Sequence, residues 1–174
     1  MSVGFLLIRH GSVDYDAYPG RFRGHGIDLL PLTQQGRAEA DELASKLEGS
    51  NVSLILASPM ARALQTAMIV SWRLDVHVEV ELDLHEWVPD QTQSWQGGET
   101  PIDSYEDLLR HGGEWPEGEK RAWEPHSAVR SRVGAVLRRY ESVDETIAVV
   151  CHSGVIEAMT GAAHTPPCGI VAWP

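Results

Sequence analysis

Cysteine is scarce in this chain: Cys151 and Cys168 are the two in 174 residues. Two thiols make no disulfide framework, and the pair suits a reducing cytoplasm. Positive charge is also scarce. Against 25 Asp and Glu stand 14 Lys and Arg, a net charge of −11. That argues against broad nucleic-acid or anionic-membrane binding, which needs a basic face. It leaves room for an anionic substrate, because a few arginines can build a local positive pocket. Long apolar runs are missing, and no segment approaches membrane-spanning length. "MSVGFLLIRHG" has no basic leader and reads as a first strand rather than a signal peptide. His25, His77, His111, His126 and His164 fall at no metal-binding spacing. There is no internal repeat, low-complexity tract or obvious linker. The length fits one domain, residues 1–174.

What is present is an ordinary globular mix, 43% apolar and 22% charged. Four short apolar runs predict buried strands at 3–8, 53–57, 76–82 and 146–150. The third alternates polar and apolar residues, which wets one face or places it near an edge. "GIVAW" near residue 170 is a candidate fifth. Helical patterns fall between them. Thr33 is the expected N-cap of the first, with Gly49 as its stop. Ser58 and Pro59 read as cap and first position of the second. Val129, Val133, Val136, Leu137 and Tyr140 form one stripe on the third. "SGVIEAMTGAAH" is a shorter fourth. Strands alternating with helices predict an α/β fold, with a mostly parallel sheet flanked by helices on both faces.

Residues 87–125 depart from this rhythm. They hold Trp87, Trp95, Trp115 and Trp123, several Gly and Pro, and one short helical candidate, "SYEDLLRH". They read as an excursion capping the α/β core. Most of the tryptophans are expected to pack that excursion, with one or two walling a pocket. Arg130, Arg132, Arg138 and Arg139 are expected on the solvated face of their helix.

In a parallel α/β sheet, ligands bind beyond the carboxyl ends of the strands. Here those ends are "RHG", "SPMAR", "DLHE" and "CHSG". If the strands are parallel neighbours, two His, two Arg and a Glu converge. Arginine offers a planar fork of donors for phosphate oxygens. Helix N-termini add backbone N–H groups. A neutral imidazole can attack phosphorus, and a carboxylic acid can protonate a leaving oxygen. The gathering suggests phosphoryl transfer through a phosphohistidine, with no call for a metal or other cofactor. Cys151 sits beside His152, but successive strand residues point to opposite faces, so it is expected to be a buried structural thiol.

In order, "LLIRHGSVD", "LTQQGRAEA", "ILASPMARALQTA", "LDLHEW" and "VVCHSGVI" resemble the marks of the histidine phosphatase superfamily. This is the group that includes phosphoglycerate mutases and small phosphatases. The resemblance covers most of the chain. It implies a phosphoglycerate mutase-like fold, His10 as nucleophile and Arg9 and Arg62 as phosphate ligands. It implies His152 as the second histidine at the phosphoryl group and Glu86 as proton donor. Arg21 and Ser153 are further candidates for phosphate or substrate contacts. Asp14, Asp83 and His85 are the alternative candidates for that proton donor. The run "RHGSVDYD" has Ser12 where mutases carry an acid or Gln and lacks their "WN" pair. No "WEG" stretch follows Glu86, and the cap is short. These departures favour hydrolysis: a metal-independent phosphoric monoester hydrolase acting on a small phosphorylated substrate or a phosphoprotein. A phosphomutase and a non-catalytic phosphate-binding regulatory domain are the alternatives. The oligomeric state is not legible.

Overall fold

A computed structural model describes residues 4–17, 24–92, 101–141 and 145–174. Its centre is a five-stranded sheet made of β1 (Gly4–Arg9), β2 (Val52–Ala57), β3 (His77–Val80), β4 (Thr146–Cys151) and β5 (Ile170–Trp173). The order across the sheet is β3-β2-β4-β1-β5. The first four run parallel, and β5 pairs antiparallel with β1. The helices are α1 (Gln34–Leu47), α2 (Ala61–Leu74), α3 (Pro101–Arg110), α4 (His126–Arg138) and α5 (Ser153–Thr160). Short 3₁₀ turns occupy Gly24–Leu29 and Leu82–Leu84.

Strand periodicity sorts the core into two layers. Phe5, Leu7, Ile147 and Val149 face one side, under Val129 and Val133 of α4 and Val155 and Ile156 of α5. Ile8, Ala148 and Val150 face the other, under Leu43 of α1 and Ala63, Ala67 and Val70 of α2. Leu7 and Ile8 are both fully buried, which is why β1 reads as a continuous apolar run. Truncating either to Ala removes about 2–5 kcal/mol. The alternating third strand is indeed an edge strand. It stops at Val80, earlier than its apolar pattern, because Leu82–Leu84 turns tightly out of the sheet.

Helix ends follow the sequence in part. Thr33 caps α1, its Oγ1 accepting the Gly36 N–H at 2.9 Å. Gly49, at φ +79°, lies just past the end. The Gly161 cap, at φ +72°, ends α5. The second helix differs from expectation. It begins at Ala61, after Met60, and Ser58 is not its N-cap. Ser58 is still held by the sheet, its N–H donating to the Val150 carbonyl at 3.0 Å. Its hydroxyl lies 2.7 Å from His152 Nε2 and also accepts the Met60 N–H at 3.4 Å.

The excursion closes on itself at its base. The Glu124 N–H donates to Val88 O at 2.9 Å, and the Gln91 N–H to Ala122 O at 2.9 Å. Trp123 is buried and donates its indole N–H to Asp107 of α3 at 2.9 Å, so it packs this unit. Trp115 Nε1 bonds the Trp123 carbonyl. Trp95 lies outside the described residues. Among the described residues, no helix is long and apolar enough to cross a membrane.

Candidate active site

The sheet register brings the strand ends together. Arg9 of β1 stands opposite Cys151 of β4, so His10 and His152 leave the sheet side by side. The His10 N–H closes this edge on the Cys151 carbonyl at 3.1 Å. The two rings meet edge to face, with centroids 5.1 Å apart. Cys151 points into the core beside Val149 and Val155, and burial pushes its thiol up to about 12. Cys168 is likewise a free thiol pushed up to about 12 by burial. The C-terminal segment seals the other side of β1. The Arg9 N–H reaches Gly169 O at 3.1 Å, and the Cys168 N–H reaches Arg9 O at 3.0 Å.

His10 is buried and doubly bonded. Its Nδ1 lies 2.7 Å from the Gly11 carbonyl, which can only accept, so Nδ1 carries the proton. Its Nε2 then offers a lone pair, which accepts the Arg62 Nε–H at 3.2 Å. Burial first, and then the Arg62 charge, lower its pKa to about 3. The ring is a neutral imidazole with its free electron pair turned to a guanidinium. Arg62 is itself buried, with Nη1 donating to Ile27 O at 2.9 Å. Arg9 binds the Thr165 carbonyl through Nη1 at 2.6 Å. Its buried Nε has no partner among the described residues.

His152 is fully buried. Its Nε2 lies 2.7 Å from Ser58 Oγ, while its buried Nδ1 has no partner among the described residues. Burial, then Arg62 and His10, hold its pKa well below the ordinary histidine range. Two neutral imidazoles and two arginines thus share one corner.

Glu86 follows the 3₁₀ turn after β3, and its Oε1 accepts the Trp87 N–H at 2.8 Å. Burial raises its carboxyl above the usual carboxylate range, opposed by the Trp87 bond and by Arg62. Gly154 makes room for it. A Cβ there would lie 2.7 Å from Glu86 Oε1 and 3.0 Å from Trp87 Cβ. Arg62, Glu86 and Ser153 line a cavity of about 620 Å³, which runs on beneath the excursion to Tyr105 and Leu108 of α3. Among the described residues, Trp87 is the tryptophan on that wall. His85 also lines it, while Asp83 and Asp14 are not on its wall. Arg21 lies outside the described residues.

The structure gives Gly11 a packing role and revises the expectation for Arg132. A Cβ on Gly11 would lie 2.5 Å from the Gly36 carbonyl oxygen, so the glycine lets the "RHG" turn touch the first turn of α1. Arg132 is not solvated. Only 12% of its side chain is exposed, and it pairs with Glu124 while donating to the carbonyls of Asp83 and His85, which flank the turn that carries Glu86.

Other contributors went unread in the sequence. Thr66 accepts the Gly11 N–H at 3.1 Å and donates to Arg62 O at 2.8 Å. Its position one helical turn after Arg62 was the available signal. Glu39 takes both the N–H and the hydroxyl of Ser12, at 2.8 and 2.9 Å. Nothing local marked that pair.

This corner of buried His10, Arg62 and His152 can be compared with known proteins. A model of the histidine phosphatase superfamily (branch 1) matches residues 5–170. The chain belongs to that superfamily. It is 28% identical to the glucosyl-3-phosphoglycerate phosphatase of Mycobacterium tuberculosis, over 97% of this chain and 78% of that protein. It is 26% identical to the adenosylcobalamin/alpha-ribazole phosphatase of Escherichia coli, over 88% of this chain and 75% of that one. In fold it resembles the native structure of a mycobacterial glucosyl-3-phosphoglycerate phosphatase. The TM-score is 0.75 at 20% identity, covering 98% of this chain and 89% of that one. The mostly parallel sheet between two helical layers is thus the fold of this superfamily member.

Proposed function

We propose that this protein is a phosphoric monoester hydrolase that works through a phosphohistidine on His10. One observation carries the reading. His10 is buried, neutral and locked by Gly11, so its Nε2 lone pair faces the Arg62 guanidinium at 3.2 Å. A nucleophile held beside a phosphate-binding cation is what attack on a phosphomonoester requires.

In the first step His10 Nε2 attacks phosphorus and the ester P–O bond breaks. The leaving oxygen takes the proton of Glu86, whose raised pKa favours the acid. Arg9, Arg62 and His152 hold the phosphoryl oxygens. The unpartnered Arg9 Nε and His152 Nδ1 are the kind of buried donors that such oxygens satisfy. In the second step water attacks the phosphohistidine, Glu86 takes its proton, and the N–P bond electrons return to Nε2. Ser153 and Arg21 are supplementary substrate contacts. The chain acts as one domain, 1–174, with 87–125 as its cap, in a cytoplasmic setting. Its substrate is a small phosphorylated molecule, as the names of the phosphatases it resembles suggest.

The test is hydrolysis of an aryl phosphate in chelator, together with trapping of an acid-labile, base-stable phosphoryl label. His10→Asn should abolish both, with its fold confirmed by circular dichroism. Glu86→Gln should lose alkyl phosphates far more than aryl phosphates, whose better leaving groups need no acid. Full activity of His10→Asn would sink the reading. Phosphoryl return to a second alcohol in preference to water would replace it with a mutase.

A further inference from the structure

The cavity meets the phosphate corner through Arg62 and Glu86, while Arg9, His10 and His152 are not on its wall, and it runs on to the cap, so its two ends differ in chemistry. The first turn of α5 gives Ser153 and Gly154 to the phosphate end. Glu157 lines the same cavity from the next turn of α5, about 5.4 Å further from His152 along the helix. A group bound there meets the leaving alcohol, not the phosphoryl oxygens. Across from it stands Tyr105 of α3, whose hydroxyl donates to Glu157 Oε2 at 3.0 Å. Burial and the carboxylate beside it raise the Tyr105 pKa, so the phenol keeps its proton. With that proton committed, Glu157 and the Tyr105 oxygen act as acceptors at this end, beside His126 on the same wall.

Between the ends the walls are apolar, from Ile27, Met60, Leu82, Trp87 and Leu108. Among the described residues, Arg62 is the one Arg or Lys on the wall, and it belongs to the phosphate end. Asp28 and Asp90 also line it, each held by interactions of its own. A second negative charge at the far end of the substrate would cross an apolar channel to meet the Glu157 carboxylate, which disfavours it.

Resting on the phosphatase reading, we propose that this cavity selects phosphate esters of apolar-bodied alcohols that carry a hydrogen-bond donor at the far end, read by Glu157 with Tyr105. It rejects esters whose alcohol carries a carboxylate. Glu157 is the specificity-determining residue, and the catalytic corner is indifferent to the distinction.

Three probes test this: 4-(hydroxymethyl)phenyl, 4-(aminomethyl)phenyl and 4-(carboxymethyl)phenyl phosphate. Each has a methylene between the test group and the ring; because the ammonium still acidifies its phenol, the hydroxymethyl ester is the reference for the carboxymethyl one. The carboxymethyl ester should show kcat/KM roughly tenfold or more below the other two. Glu157→Gln should raise the carboxymethyl ester toward them and close most of that gap. The three free phenols, as inhibitors of the unaltered protein, should rank in the same order, which requires no variant to fold. Equal turnover of all three esters with His10-dependent labelling overturns the specificity alone. A gap that Glu157→Gln leaves unchanged removes Glu157 from it. Absence of turnover and of label with every ester overturns the phosphatase reading and this inference together.

Discussion

Arg132 of α4 holds Glu124 in a two-pronged grip, Nε to Oε1 at 2.8 Å and Nη2 to Oε2 at 3.0 Å. The pair is nearly buried, with 12% and 8% of the side chains exposed. Its remaining donors take the Asp83 and His85 carbonyls, and Glu124 Oε2 also accepts the Val88 N–H at 3.3 Å. The turn bearing Glu86 is thus tied to both α4 and the base of the cap. Arg132→Met leaves a buried carboxylate unpaired, which costs about 3–5 kcal/mol. Urea denaturation should show that loss. Alkyl phosphate turnover should fall more than aryl turnover, because Glu86 loses its position while His10 keeps its own. Equal losses on both substrates would make the pair purely structural.

Ser58 bonds His152 Nε2 at 2.7 Å inside the core. Ser58→Ala strips a fully buried imidazole of that partner, a cost of about 1–3 kcal/mol. Where the loss falls on the transition state, kcat drops roughly tenfold to a hundredfold. Steady-state kinetics beside a denaturation curve divides the effect between activity and stability.

Gly11 and Gly36 touch backbone to backbone, so neither neighbour can swing away from an added methyl. Gly11→Ala should cost about 1–3 kcal/mol as overpacking and displace His10 with it. Gly4→Ala is the control, since a Cβ there meets nothing within 4 Å. A thermal melt in which Gly11→Ala matches Gly4→Ala would contradict the contact.

Acidification should weaken the fold through His10. Its pKa falls from 6.5 in the unfolded chain to about 3 in the folded one. Between those values the unfolded chain binds the extra proton, so stability is complete above pH 6.5 and drains away toward pH 3. His152 acts in the same direction. In His10→Asn, urea midpoints measured from pH 7 to 4 should decline less steeply than in the parent. The corollary for catalysis is that an acid limb of kcat/KM near pH 6.5 does not belong to His10.

Much of this was legible because local chemistry and tertiary placement agreed. Apolar runs at 5–8 and 147–150 are buried on both faces, so composition alone marked them as buried strands. Arg9, His10, Arg62 and His152 sit at strand ends or a first helical turn, where a parallel sheet collects them. Arg132 and Glu124 were illegible for the opposite reason. Each belongs to a surface-like pattern, and only the docking of α4 against the cap desolvates them. Ser58 was legible as a cap by residue type, but α2 starts after Met60, and the Ser58 hydroxyl meets His152 Nε2 at 2.7 Å while accepting the Met60 N–H at 3.4 Å.

The position of β1 within the sheet has a kinetic consequence. Ile8 pairs with Val150 on one side and with Ile170 on the other. The strand made first is therefore completed by the two made last. During synthesis His10 emerges early and waits, without its neighbouring histidine and without the segment that fastens Arg9. Contacts so distant in sequence are slow to close. The proposed phosphate site is then a late product of assembly, and a chain truncated before β4 carries His10 without the neighbours that hold it.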